Sequence, residues 1–305
     1  MPYTRALVII NPVSGRHDPA ETQQMLEDRL AAEGLAYEVR ATRAAGDALR
    51  WAQAAADEGF DLVIASGGDG TIMEAMSGLI KAGATIPLAQ IPVGTANLLA
   101  RALGISSDPA EAIEVIFSGK QVRLDVGYLP DEDRYFALVA GAGYDAQLIG
   151  DASRELKNRL GFAAYVLTGI KNLFKLRRSR VELEIDGRRR RFRAHTVMVA
   201  NIGTLGAGAL ALGPNIHPHD GKLDLIVISS ASLAGALRIL WQLLTGRFEG
   251  NANLRYFSAS RVRITARPPL PTQLDGEELG TTPLAAEAVP DGALLLVPQT
   301  YHAHA

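Results

Sequence analysis

Leu62-Val-Ile-Ala-Ser-Gly-Gly-Asp-Gly-Thr-Ile-Met-Glu-Ala-Met76 decides the fold. Leu62–Ser66 is an apolar run ended by glycines, which predicts a short buried strand. From Thr71 the apolar residues Ile72, Met76 and Leu79 recur at helical spacing. A glycine turn therefore leaves a strand and opens a helix. That geometry suits an anion, because free backbone N–H groups and the positive helix end point at the turn. Gly67, Gly68 and Gly70 lack the Cβ that would keep a phosphate off the backbone. Asp69 is the odd member, since a carboxylate repels phosphate unless a cation lies between them. Mg²⁺ carried by a nucleoside triphosphate is the natural cation. The competing reading is a tight turn with Asp69 as a local cap. No Gly-x-x-x-x-Gly-Lys-Ser/Thr occurs, and Met73 stands where the dinucleotide fingerprint has its third glycine.

Outward from this stretch, strands and helices alternate. Arg5–Ile10 reads as a strand, followed by the loop Asn11-Pro-Val-Ser-Gly15 and a helix over Pro19–Glu33. Ala36–Ala41 is a strand, and Thr42-Arg-Ala-Ala-Gly-Asp47 leads into an Ala-rich helix ending near Gly59. Leu88–Ile91 is a strand that enters Pro92-Val-Gly-Thr-Ala-Asn97, and Pro109–Gly119 is a helix. This alternation predicts a parallel sheet, whose ligands bind beyond the carboxyl ends of the strands. The loops at Asn11, Thr42 and Gly67 lie at that edge. Thr95 and Asn97 could bond a phosphate or ribose there, or simply cap a helix.

Beyond about Asp125 the pattern becomes antiparallel. Tyr135–Ala140 reads as a strand and Gly141-Ala-Gly-Tyr-Asp145 as a turn. Leu156–Leu176 reads as a helix. Val181–Ile185 and Arg190–Ala200 pair about an Asp186-Gly187 turn. Leu223–Ser229 and Arg261–Ala266 read as strands, and Leu233–Thr245 as a helix.

The bulk numbers fit two globular domains. The chain has 305 residues, 48% hydrophobic and 21% charged. A net charge of −2 gives no global field for nucleic acid. There is no cysteine, which excludes disulfides, thiolate metal sites and cysteine nucleophiles, and fits a reducing compartment. Ala6–Ile10 is too short for a secretory h-region, and Ser232–Gly246 falls short of the roughly 20 residues of a membrane span.

Three further segments carry chemistry. Leu274-Asp-Gly-Glu277 sets two carboxylates about a glycine. One could accept a proton from a reacting hydroxyl while the other orients it or holds metal, or the segment is an Asp-Gly hairpin turn. His217-Pro-His-Asp-Gly-Lys-Leu-Asp224 matches neither an EF-hand nor a zinc site, but could hold a hard cation through Asp220 and backbone carbonyls, or be a polar turn. Lys175–Arg193 holds nine basic residues against three acids, after a helix rich in aromatics. That fits a surface meeting anionic lipid, or a core helix and a solvated hairpin.

Taken together, these motifs resemble the diacylglycerol kinase catalytic-domain family of lipid kinases, in its small bacterial form. The resemblance covers nearly the whole chain. It rests on Asn11–Gly15, Thr42 with Gly46-Asp-Ala48, Gly67–Thr71 with Glu74, Pro92–Asn97, Gly141–Asp145, Leu160-Gly-Phe-Ala-Ala-Tyr165, Asp220–Asp224 and Asp275-Gly-Glu277. The chain departs from it at Met73, where asparagine is usual, and at Leu98, where aspartate is common.

The resemblance implies an α/β N-terminal domain with a parallel sheet like that of NAD kinases and phosphofructokinases. It also implies a mostly antiparallel, β-sandwich-like C-terminal domain, with the active site in the cleft between the two. The first would span 1–125 plus a returning tail at about 290–305 and bind the nucleotide, and the second would span 126–289 and take the lipid. ATP would sit on Asn11, Pro12, Val13, Ser14, Gly15, Thr42, Gly67, Gly68, Asp69, Gly70, Thr71, Ile72, Met73, Glu74, Gly94, Thr95 and Asn97. Glu277 would be the proton acceptor, with Asp275 supporting or competing, and Asp69 would act through Mg²⁺. A structural Mg²⁺ would be held by Asp220 and the carbonyls of His217 and Lys222. The implied partner is a membrane lipid met peripherally at the inner face of the membrane by a cytoplasmic protein, with no nucleic acid. The oligomeric state is open, a homodimer included. A kinase of a soluble acceptor such as NAD, or a non-catalytic nucleotide- or lipid-binding regulator, are the alternatives.

Overall fold

The computed structural model describes residues 3–15, 18–143, 178–205, 210–230, 233–248 and 250–302. The expected helix Leu156–Leu176, the segment Leu160–Tyr165, Tyr144, Asp145, Lys175 and Arg177 lie outside these residues. The chain divides into two compact units, Met1–Asp125 with Asp291–Ala305, and Val126–Pro290.

The first unit is an α/β layer. Strands β1 (Arg5–Ile10), β2 (Ala36–Ala41), β3 (Leu62–Gly67) and β4 (Leu88–Pro92) are parallel and lie in the order β2-β1-β3-β4. The last strand, β18 (Leu284–Val297), enters this unit at its carboxyl half and adds Leu295 parallel to Leu88 of β4. β3 is buried along its whole length and β1 along all but its first residue, as continuous apolar runs in a parallel sheet require. Their side chains meet Leu26 and Leu30 of α1 (Pro19–Ala32) and Ile113 and Ile116 of α5 (Pro109–Ser118). Both helices start the same way. Asp18 accepts from Ala20 N–H and Asp108 from Ala110 N–H, each with proline at the first helical position.

Chain order reverses between β1 and β3, since β2 lies on one side and β4 on the other. Loops at such a switch point splay apart and leave a crevice at the strands' carboxyl ends. Ile10 is in register with Ser66, and Gly67 with Pro92, so the loops after β1, β3 and β4 leave the sheet at one level. Helices α1, α3 (Asp69–Lys81) and the short α4 (Leu98–Ala102) follow these loops, and α2 (Asp47–Ala54) follows β2. α3 starts at Asp69, two residues before the expected Thr71, so Asp69 and Gly70 belong to its first turn.

The second unit is antiparallel. One sheet has the order β14-β13-β10-β7-β16-β17, built from Leu254–Ala259, Leu223–Ile228, Thr196–Ala200, Val139–Ala142, Pro271–Leu274 and Glu277–Thr281. Against it lie β15 (Arg261–Arg267), β8 (Ser179–Ile185) and β9 (Arg188–Ala194), with the first residues of β18 beside β15. β5 (Lys120–Leu129) reaches in from the first unit and pairs with β6 (Arg134–Phe136). Val181, Leu183, Val262 and Ile264 from one layer share a core with Val197, Val199, Leu223 and Leu225 from the other. β15 alternates exposed and buried along its seven residues, as one face of a sandwich should. The short strands β11 (Thr204–Leu205) and β12 (Leu210–Ala211) pair with each other, and helix α6 (Leu233–Thr245) links β13 to β14.

Two expected strands are each split. Arg190–Ala200 breaks at His195, where the chain leaves β9 in one sheet for β10 in the other. The buried imidazole marks the crossing, 2.6 Å from the Ser230 carbonyl oxygen. Tyr135–Ala140 likewise divides into β6 and β7. A run of β-formers shows that a chain is extended, not which sheet it joins. The Asp186-Gly187 hairpin is as expected: both residues have positive φ and Ile185 pairs with Arg188.

Candidate active site

The loop after β1 is tied down by Asn11. Its N–H donates to Ser66 O (2.9 Å), its Oδ1 accepts from Val13 N–H (3.1 Å), and its Nδ2 donates to Thr71 Oγ1 (3.0 Å). One side chain thus folds its own loop and fastens it to the start of α3. Pro12 and Val13 stand exposed at the loop tip. A Cβ on Gly15 would fall 1.8 Å from Val93 O, so this loop ends pressed against the one after β4. Thr42 N–H donates to Ile10 O (2.8 Å), and the Glu74 carboxylate accepts from Gly46 N–H (2.9 Å). Residues far apart in sequence therefore brace one edge of the sheet.

The glycine turn differs from its expected use. A Cβ on Gly67 would lie 2.6 Å from Thr71 Cβ, and one on Gly94 would lie 2.5 Å from Gly68 Cα. Gly67 and Gly94 are glycines because the chain packs on itself there, while a Cβ on Gly68 would make ordinary contact with Gly94 Cα at 3.5 Å. Only Gly70 has open space where a side chain would point. No side chain caps α3 at Gly68, which leaves its first-turn amides to an anion. Ile72 is buried in the core and offers a ligand only its backbone, whereas Met73 is half-buried and Thr95 exposed.

Asp69 turns toward the next helix. Its Oδ1 accepts from Leu99 N–H at 3.3 Å, near the start of α4. Burial pushes its carboxyl pKa up, against the pull of the amides of Leu99, Leu98 and Asn97. Asp69 is thus a cap, but of a helix thirty residues on. Asn97 is buried at φ 48°, and its Nδ2 donates to the carbonyls of Pro92 and Gly94, both at 2.8 Å. Its amide closes the Pro92–Asn97 loop. The outcome is a rigid shelf with α3's amides at its mouth, and this fits the triphosphate of a nucleotide.

In the second unit, Asp275 (φ 46°) and Gly276 (φ 92°) form the two-residue turn between β16 and β17. Asp275 Oδ1 accepts from Val139 N–H at 2.9 Å, and its N–H donates to Val139 O at 2.9 Å. Gly276 N–H donates to Gln273 Oε1 at 2.8 Å. The turn is therefore buckled to the start of β7 by Asp275, while Glu277 projects with its side chain 64% exposed. Arg134 of β6 donates to Glu277 Oε2 at 2.6 Å. Nothing in the sequence pointed to Arg134, 143 residues away. Only the pairing of β6 into this unit brings it there.

Asp220 Oδ1 accepts from Lys222 N–H at 3.0 Å, with Gly221 at φ 73° completing the turn. Burial and the nearby Asp220 push the Asp224 pKa up to about 6. His217 is half-buried and Asp220 exposed. Among the described residues no group of three or more His, Cys, Asp or Glu side chains could hold a metal. The oxygen donors of this turn, one carboxylate with main-chain carbonyls beside a second carboxylate, suit a hard cation that also draws on water or substrate oxygens. In the arginine-rich hairpin, Arg189 and Arg191 pair with Glu182 and Glu184.

Comparison with known proteins accords with this layout. Residues 5–129 match the model of the diacylglycerol kinase catalytic domain, and residues 138–297 that of the YegS C-terminal NAD kinase beta sandwich-like domain. The chain belongs to the diacylglycerol kinase family. It is 35% identical over 280 residues to a diacylglycerol kinase of Bacillus subtilis (strain 168), covering 92% of this chain and 91% of that one. Identity to a diacylglycerol kinase of Staphylococcus carnosus (strain TM300) is 29% over 280 residues, covering 92% and 90%. A solved structure from Bacillus anthracis str. Sterne, provisionally named a diacylglycerol kinase, superimposes with a TM-score of 0.83 at 27% identity. It covers 99% of this chain and 100% of its own.

Proposed function

We propose that this protein is an ATP- and Mg²⁺-dependent lipid kinase that phosphorylates the hydroxyl of a membrane lipid such as diacylglycerol. The observation that carries the proposal is the shelf at the switch point of the parallel sheet. There the uncapped start of α3, the open face of Gly70 and the braced loops after β1 and β4 suit a triphosphate, in a chain 35% identical to a diacylglycerol kinase. The first unit is the nucleotide domain in this reading, and the second the lipid domain.

Phosphoryl transfer asks for positioning and charge neutralisation more than covalent chemistry. The backbone N–H groups of Asp69, Gly70 and Thr71 bind phosphate oxygens. Asn11–Gly15, Thr42, Glu74 and Thr95 border the nucleotide. Asp69 orients the first turn of α4, and its carboxylate would help hold the nucleotide's Mg²⁺. Glu277 accepts the proton of the attacking hydroxyl, and Arg134 positions that carboxylate. Asp275 holds the turn. Asp220 with the carbonyls of His217 and Lys222 would bind a Mg²⁺ ion. Bound Mg²⁺ neutralises charge on phosphate oxygens.

The test is transfer of label from γ-labelled ATP and Mg²⁺ to mixed bacterial lipids in micelles. Label in the organic phase is expected, and chromatography then names the lipid. Label confined to the aqueous phase would move the acceptor to a soluble molecule. Nucleotide binding with no transfer to any acceptor would make the protein a regulator.

A further inference from the structure

Helix α6 is apolar on the wrong side. Among the described side chains, its exposed large hydrophobics are Leu237 (51%), Trp241 (53%) and Leu244 (53%), at i, i+4 and i+7, one stripe along the helix. Its inward face carries Ile239 and the amide of Gln242, whose Oε1 accepts from Asn251 Nδ2 at 2.6 Å. A helix lying on a globular core ordinarily turns its polar side chains to water. Here the glutamine is inside, while a tryptophan and two leucines are outside. Among the described residues the other exposed large hydrophobics, Val13, Met25 and Tyr37, stand singly elsewhere in the chain.

The charge around the stripe selects its partner. Helix α6 contains Arg238 and no Asp or Glu, and Arg247 and Glu249 follow it in the sequence. Arg238 donates to Gly250 O at 2.9 Å, which holds its guanidinium beside the helix, and Arg247 is exposed just past the helix end. A two-fold dimer through this face would bring a basic rim against itself, with no acid on the helix to meet it. An anionic bilayer offers both halves of the match. Leucines enter the acyl boundary, the tryptophan ring lies at headgroup level, and arginines meet phosphates. At thirteen residues the helix is too short to span a bilayer, so it lies in the plane.

We propose that the Leu237–Trp241–Leu244 face of α6 is the surface by which this protein docks on an anionic lipid bilayer, an assignment that rests on the lipid-kinase reading above. Docking would hold the second unit at the membrane while a lipid is taken from it.

The chain has two tryptophans, so Trp51→Phe leaves Trp241 as sole reporter. That full-length variant is mixed with vesicles of phosphatidylcholine alone, or with added phosphatidylglycerol, carrying brominated acyl chains. A blue shift and quenching of Trp241 on the phosphatidylglycerol vesicles, weaker on phosphatidylcholine, is expected. The double substitution Leu237→Ser/Leu244→Ser is expected to weaken vesicle affinity by at least about tenfold, given the apolar area it removes. It should leave the melting midpoint unchanged, and lower activity on bilayer lipid but not on a dispersed short-chain diacylglycerol. Absence of quenching would overturn the proposal. So would a double variant that co-sediments with vesicles as wild type does, or a sedimentation profile showing that the substitutions abolish a dimer instead. Vesicle binding is read without turnover, so its failure is separate from failure of the kinase reading.

Discussion

The glycine shelf of the first unit and the Asp275–Glu277 turn of the second are made in opposite ways. The shelf is built of backbone. A Cβ on Gly94 would fall 2.5 Å from Gly68 Cα, Asn11 and Asp69 bond to the first turns of α3 and α4, and Asn97 closes its own loop. The turn is an ordinary two-residue hairpin that displays one exposed side chain. The difference separates two kinds of function. Binding an anion on amides demands a rigid main chain, so it is entangled with stability. Accepting a proton demands one carboxylate, which can be altered without touching the fold.

The sharpest way to break this comparison is Glu277→Gln. Loss of a general base costs about 10²–10⁴ in rate, so kcat on lipid should fall by that order, with the melting midpoint and nucleotide affinity unchanged. A fall in melting midpoint would show that the turn is structural after all. Gly94→Ala should follow in size and reverse the signature. Its Cβ would lie 2.5 Å from Gly68 Cα, and overpacking of this kind costs about 1–3 kcal/mol. Denaturant unfolding should show that loss together with weakened nucleotide binding.

Gly70→Ala separates the two roles of glycine within the shelf. Its Cβ would meet nothing, so stability should stay within about 0.5 kcal/mol, while the KM for ATP rises severalfold. Asp275→Asn should do least. Asparagine keeps an oxygen acceptor for Val139 N–H and tolerates positive φ, so activity should remain within about threefold of wild type by the lipid assay. A collapse of kcat in this variant, with Glu277→Gln active, would exchange the roles of the two carboxylates.

Much of the shelf was legible because its signals are local. An apolar run, glycines and a helical repeat fall within fifteen residues, and the strand–loop–helix pattern recurs after β1 and β4. The reason for each glycine was not legible, since Gly94 is held to glycine by Gly68 and Gly67 by Thr71. The second unit was harder to read. Its Asp-Gly turns are local and showed themselves. The hand-over at His195 and the strands around the prolines of 268–271 depend on partners distant in sequence. Arg134 beside Glu277 is of that kind. Leu233–Thr245 was legible as an apolar helix, but sequence alone does not tell which side of such a helix faces water.

The central claim, that the second unit's Glu277 drives a transfer whose donor the first unit binds, is tested most directly by one side-by-side assay. Wild type and Glu277→Gln are each given γ-labelled ATP, Mg²⁺ and diacylglycerol micelles. ATP binding is measured on the same samples. The account predicts labelled lipid from wild type, almost none from the variant, and equal ATP binding by both. Equal labelling by the two proteins would contradict it.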